Sequence, residues 1–261
     1  MSITVFSGCS FSDGTGFNLG INDQNLWVNL VHTKLFANTN LVNLSQGGKS
    51  NTSIYRDTSW YMLSHKNIST VFVQWTSFIR YEFDLGAELY DSRCYVAPSA
   101  KYRDHHINGI TYTKEYLKKI CQPFVMLPHD HREIVNLLKY TNSLIQIAKT
   151  KNINIFFING LCHWDYDFFR EKDITNIFPN ELTEYTKTLI SVKTRDDTES
   201  FAIYQQMHNE YAGTGGINEK YWINLYDSFV SLQIDNGTDH RHPGIHSNQK
   251  YAELIKSRLT K

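Results

Sequence analysis

Five short apolar runs recur along the chain: Ile3–Phe6, Leu41–Leu44, Thr70–Trp75, Ile153–Ile158 and Trp222–Tyr226. Each is rich in β-branched or aromatic residues and too short for a helix, so each predicts a buried strand. Helical spacing lies between several of them. In QNLWVNLVHTKLF, Leu26, Leu30, Val31, Lys34 and Leu35 fall on one face, and Asp23 stands ahead as an N-cap. In HREIVNLLKYTNSLIQIAK, Ile134, Leu137, Leu138, Leu144, Ile145 and Ala148 form one apolar stripe. A last helix, SNQKYAELIKSRL, opens on Ser247 and Asn248 as capping residues. Strands alternating with helices predict βαβ units and a mostly parallel sheet.

Two intervals break the alternation, residues 84–132 and 165–216. Both are polar and aromatic, and both are longer than ordinary βα loops. They follow the C-terminal ends of strands, where open α/β sheets build their sites. They are expected either as lid or substrate-binding insertions or as structural decoration. With no internal repeat and no long linker, residues 1–261 read as a single domain.

Composition narrows the partners. The formal net charge is zero, which gives no global electrostatic case for nucleic acid or an anionic membrane. Aromatics reach 14%, a core signal first and a sugar-stacking signal second. Cys9, Cys94, Cys121 and Cys162 are scattered, which argues against a disulfide framework and a Cys-type zinc site. The sequence shows no leader pattern and no apolar run long enough to cross a membrane, so the expected compartment is the cytoplasm.

Three segments carry chemistry. The run ITVF passes straight into FSGCSFSDGTGF, which holds three glycines and three serines. A serine at a strand end, close to exposed backbone N–H groups, sits where developing negative charge is favoured. Near the other terminus, DHRHPGIHSN spaces Asp239 and His242 three apart on a turn before the last helix. A carboxylate there can hold the imidazole Nδ1–H and leave Nε2 as a base. NLSQGGKSN leaves the second strand through Gly47 and Gly48, which can turn backbone N–H groups into a site.

All three segments fall on one edge of a parallel sheet, and their order resembles the SGNH hydrolases, the GDSL-type esterases and lipases. The resemblance implies a three-layer α/β/α flavodoxin-like fold with about five mostly parallel strands. It places the nucleophile at Ser10 of Gly8-Cys9-Ser10-Phe11-Ser12-Asp13-Gly14, with Cys9 where the family has Asp and Ser12 as the rival serine. It makes Gly48 an oxyanion donor beside the Ser10 N–H, and Asp239 and His242 the rest of a triad. The family's third block ends a strand in Gly-x-Asn-Asp. Here the strand ends VFVQWTSFIRYEF without asparagine, leaving Thr76, Ser77 or the neighbouring Asn51 as the further donor. Losing one such donor costs about 3 kcal/mol.

The expected activity is therefore that of a serine esterase or acyl hydrolase, with no cofactor and no metal. Its substrate is expected to be a small-molecule or glycan ester, such as an O-acetylated sugar. Trp75, Arg80 and His163 are the expected substrate contacts, with an Arg80–Glu82 ion pair as the other use of that arginine. Two other classes stand beside this one. The missing asparagine suits a non-catalytic glycan- or protein-binding module on the same fold. The clusters His129–Asp130–His131 and His240, His242, His246 suit a metal-dependent hydrolase. The diverged motifs and the Asn, Tyr and Lys usage also resemble phage-encoded or bacterial members of the family. Oligomeric state is not encoded in these patterns.

Overall fold

A computed structural model describes residues 1–77, 80–84, 93–96, 104–107, 110–116, 119, 130–161, 219–224 and 227–260. In chain order, β1 (Ile3–Ser7), α1 (Trp27–Leu35), β2 (Asn40–Asn43), α2 (Asn51–Ser64) and β3 (Ile68–Trp75) form the first half. Two small antiparallel hairpins follow, β4 (Tyr81–Asp84) with β5 (Arg93–Val96), and β6 (His105–Ile107) with β7 (Ile110–Tyr112). Then come α3 (Asp130–Lys151), β8 (Asn154–Asn159) and α4 (Ile245–Leu259).

The main sheet is parallel, in the order β2-β1-β3-β8, with Val5 registered against Val42 on one side and Val71 on the other. Four of the five expected strands are present within two residues of their predicted bounds. The fifth is represented by one parallel bridge, Phe157 to Trp222, on the open side of β8. Its far end, Tyr226, lies outside the described residues.

This order dictates the layers. The chain steps one way from β1 to β2, and the other way from β2 to β3 and from β3 to β8. Right-handed crossovers then put α1 on one face and α2 and α3 on the other. The observed packing agrees, with α1 against α4 and α2 against α3. The sheet is thus a three-layer α/β sandwich whose direction reverses between β1 and β3. Open sheets of this kind place their ligand crevice at that switch point, beyond the carboxyl ends of the strands.

Aromatic residues stitch the sheet to the α1/α4 layer. Phe6 stacks on Phe72 at 4.9 Å and meets Trp27 edge-on at 5.5 Å. Trp27 meets Phe229, which stacks on Tyr251 at 4.0 Å. These aromatic residues belong to the core.

The helix starts differ from expectation in an instructive way. Asp23 does not cap α1, because its carboxylate accepts from the Asn25 N–H in a turn of its own, at 2.9 Å. The first α1 donor, Trp27 N–H, instead goes to Asn248 Oδ1 at 3.0 Å. Asn248 is buried in the first turns of α4, and its amide also donates to the Pro243 and Gly244 carbonyls. Ser247 is not an end cap either. Helix α4 begins two residues earlier, at Ile245, and the Asp235 carboxylate accepts from the His246 and Ser247 N–H groups at 2.9 and 2.8 Å. Burial raises the Asp235 pKa, but the Ser247 hydroxyl and these two N–H groups outweigh it and hold the carboxyl below its usual range.

Of the two expected insertions, residues 84–132 contribute short pieces to the described structure, and residues 165–216 lie outside it.

Candidate active site

The chain leaves β1 into one tight turn. Ser12 and Asp13 N–H groups both donate to the Cys9 carbonyl, at 2.9 and 3.2 Å, and Ser10 stands within that turn. Ser10 is only 4% exposed. Its Oγ is buried and has no hydrogen-bond partner among the described residues. A buried hydroxyl without a partner costs about 1–3 kcal/mol, which a purely structural serine would avoid.

Ser12 behaves oppositely. It is wholly buried and its hydroxyl donates to Gln74 Oε1 at 2.6 Å, so it is committed to the scaffold. Gln74, on β3, was not singled out in the sequence. Its Oε1 also receives the Cys9 N–H at 3.4 Å, and its Nε2 donates to Cys9 Sγ at 3.3 Å and to the Trp75 carbonyl at 3.2 Å. Two glycines make room for this amide. A Cβ on Gly8 would lie 2.7 Å from Gln74 Oε1, and one on Gly160 would lie 1.8 Å from Nε2. The available signal was a lone glutamine inside an otherwise apolar strand, TVFVQW.

Asp239 and His242 lie on a small hairpin closed by the Asn236–Pro243 bridge. Asp239 bonds His242 Nδ1 at 2.5 Å and also accepts from the Arg241 and His242 N–H groups, at 3.1 and 3.0 Å. Burial raises the Asp239 pKa, but the His242 N–H, the His242 ring and the Arg241 N–H prevail and hold it at about 2. The carboxylate is therefore charged at neutral pH and fixes Nδ1 as the protonated nitrogen, leaving Nε2 as the basic one.

The two segments, from opposite ends of the chain, interlock. Thr238 N–H and Oγ1 both donate to the Gly16 carbonyl, at 2.8 and 3.0 Å. Gly16 has φ +97°, and a Cβ there would stand 2.9 Å from His242 Cβ. Phe11, the residue after Ser10, meets the His242 ring edge-on at 5.8 Å. Asp239 and His242 are thus brought to the turn that holds Ser10, although Ser10 Oγ makes no hydrogen bond to His242 in this structure.

The glycine loop closes the third side. Gln46 N–H donates to the Gly8 carbonyl at 3.2 Å. Gly48 has φ +83°, and a Cβ on Gly47 would lie 3.9 Å from Ser10 Cβ. Among the described residues, neither the Ser10 nor the Gly48 backbone N–H is engaged in a hydrogen bond. Asn51 is committed in both directions to the end of β3. Its Oδ1 accepts from Thr76 N–H at 2.8 Å and its Nδ2 donates to the Thr76 carbonyl at 3.0 Å. Thr76 is wholly buried and Ser77 half-buried just beyond it.

The expected substrate contacts fare unevenly. Trp75 is wholly buried and stacks on Phe157 with ring planes 9° apart, so it belongs to the core and not to a cleft wall. Arg80 is half-buried after β3, while Glu82 binds Arg56 through both carboxylate oxygens, at 2.6 and 2.7 Å. His163 and His129 lie outside the described residues. Among the described residues, no three His, Cys, Asp or Glu side chains gather into a metal-holding group, and no helix is long and apolar enough to cross a membrane.

No family model and no curated protein sequence matches the chain. Solved structures do. The chain is similar to a lipase/acylhydrolase from Enterococcus faecalis, with 11% identity, 99% of this chain and 95% of that one covered, and a TM-score of 0.44. It is similar to a psychrotrophic esterase from Pseudoalteromonas sp., with 12% identity, coverage of 100% and 97%, and a TM-score of 0.43. A third likeness is to a member of the lipolytic protein G-D-S-L family from Veillonella parvula, with 13% identity, coverage of 100% and 99%, and a TM-score of 0.40.

Proposed function

We propose that this protein is a serine ester hydrolase of the SGNH type, with Ser10 as nucleophile, His242 as base and Asp239 as its orienting carboxylate. Ser10 Oγ adds to the ester carbonyl carbon while His242 Nε2 takes its proton. The carbonyl oxygen becomes an oxyanion and accepts from the Ser10 and Gly48 N–H groups. The intermediate collapses, the alcohol leaves with the proton from Nε2, and an acyl-Ser10 ester remains. Water, deprotonated by the same nitrogen, then releases the acid and restores Ser10. The substrate in this reading is a small-molecule or glycan ester, with an O-acetylated sugar as the first member to try.

The single observation that carries the reading is the pairing of a buried, unspent Ser10 hydroxyl with an adjoining imidazole whose Nδ1 is held by a charged carboxylate. A catalytic hydrogen bond that is open in the free enzyme and tightens with substrate is ordinary behaviour for such sites.

Intact-mass analysis after treatment with a fluorophosphonate tests it. One adduct on the wild type and none on Ser10→Ala is the expected result. A folded wild type that takes no adduct would sink the esterase reading and favour a binding module on the same scaffold, a role the unmade Ser10–His242 bond also suits.

A further inference from the structure

The glycine loop is clasped by a buried cation. Lys49 directly follows Gly48, and its side chain is 4% exposed. Lysine is almost never this deeply buried without a partner. Its Nζ donates to the Leu44 carbonyl at 2.6 Å and sits 2.7 Å from Asp57 Oδ2 on α2. Leu44 is where the chain leaves β2, and its own N–H is bound to the Phe6 carbonyl of β1 at 2.7 Å. The Lys49 N–H closes the same loop on the Gln46 carbonyl at 3.3 Å. The side chain therefore ties the end of the loop back to its beginning.

The anchor of this clasp is itself braced. Asp57 is also bound by Arg56 at 3.1 Å, and Arg56 reaches Glu82 on β4. Alternating charges thus run from the first hairpin, across α2, to the glycine loop.

Stability alone is a poor reason for this arrangement. A buried ion pair is often matched or bettered by apolar side chains of the same size. What an ammonium adds is a directional bond to one carbonyl, in a loop where two consecutive glycines leave the backbone unusually free. A donor that stabilises an oxyanion must be fixed before the reaction begins.

We propose that Lys49 is a positioning residue for the oxyanion hole, acting through the Gly48 N–H. The proposal rests on the ester-hydrolase reading above, and the test separates the two.

The experiment measures p-nitrophenyl acetate hydrolysis, inhibition by an aryl trifluoromethyl ketone and thermal unfolding, in wild type, Ser10→Ala, Lys49→Met and Lys49→Arg. The ketone adds to Ser10 and places an oxyanion in the hole, so its Ki reports the hole directly. In Lys49→Met, Asp57 keeps Arg56 as its partner, so the fold is expected to survive. The expected result is a fall in kcat of about 10- to 100-fold, a matching weakening of the ketone, and an unchanged KM. Lys49→Arg restores part of the loss, because a guanidinium can still reach the Leu44 carbonyl. A merely structural lysine would lower the unfolding temperature and leave kcat and Ki alone, and that outcome overturns the proposal. If Lys49→Met does not fold, Asp57→Asn carries the test. It removes the counter-charge, and a several-fold fall in kcat at constant KM is expected, whereas an unchanged kcat overturns the proposal. A wild type without Ser10-dependent turnover sinks the hydrolase reading and the role of Lys49 with it. Ser10-dependent turnover that ignores Lys49 sinks only the latter.

Discussion

Ser10 and His242 are carried by two segments of opposite character. The turn after β1 belongs to the core: Cys9 and Ser12 are wholly buried, and Gln74 grips them from the neighbouring strand. The hairpin that carries the base lies outside, with the His242 and Asp239 side chains 21% and 34% exposed. It is organised by itself, through Asp239 folding back onto the Arg241 and His242 N–H groups, and by its contact with Gly16 and Phe11. Ser10 is therefore placed by the packing of the whole sheet, and His242 by a short local loop. This difference explains how an assembled Asp–His pair can coexist with a Ser10 hydroxyl that is not yet bonded.

The largest effect expected from this contrast is a separation of activity from stability at His242. His242→Gln removes the base, and Ser10-dependent turnover should fall by about 10⁴- to 10⁶-fold. The unfolding temperature should hardly change, because the imidazole stands on an exposed hairpin. A drop in stability as large as that of a core deletion would show that the hairpin is part of the core after all, and would break the comparison.

The opposite signature is expected at Gln74. Gln74→Leu leaves the Ser12 hydroxyl and the Cys9 N–H without their partner in a dry interior. Each such orphan costs about 1–3 kcal/mol, so a loss of roughly 2–5 kcal/mol in urea unfolding is expected, together with slower fluorophosphonate labelling. A variant as stable as wild type would mean that the turn holds Ser10 without the buried amide.

These two residues also mark the limit of what the sequence discloses. The strands and the three strongly periodic helices were legible, because burial on one stripe or on both faces leaves a local pattern. Ser10, Asp239 and His242 could be singled out because a short motif carries each, and the structure brings their segments together. Gln74 was not, since its partners lie 65 and 62 residues away and nothing near it in the chain announces them. The helix starts failed for the same reason. The donor at the head of α1 is satisfied by Asn248, 221 residues distant, and the first turn of α4 borrows Asp235 from a preceding loop. Local capping rules see only local oxygens, so Asp23, Ser247 and Asn248 were assigned to jobs that distant groups perform. Trp75 was misjudged as a cleft residue because an aromatic at a strand end looks the same from the sequence whether it faces a ligand or Phe157.

The smallest expected effect concerns the charge that holds the base. Asp239 has a folded pKa of about 2, against an ordinary value of 3.8. A depressed carboxylate stabilises the fold above its unfolded pKa and loses that contribution as the pH falls through the folded value. Wild type should therefore exceed Asp239→Asn in stability at pH 5 and above, and the gap should close between about pH 4 and pH 2. The asparagine keeps an oxygen for the Arg241 and His242 N–H groups, so the comparison isolates the charge from the turn it folds. Because the side chain is 34% exposed, water screens the interaction, and the gap should not exceed about 1 kcal/mol. Urea unfolding of both proteins at stepped pH values reads it. A gap that persists unchanged at pH 2 would show that Asp239 holds the hairpin through shape alone, and the base would then owe its orientation to Gly16 and Phe11 instead.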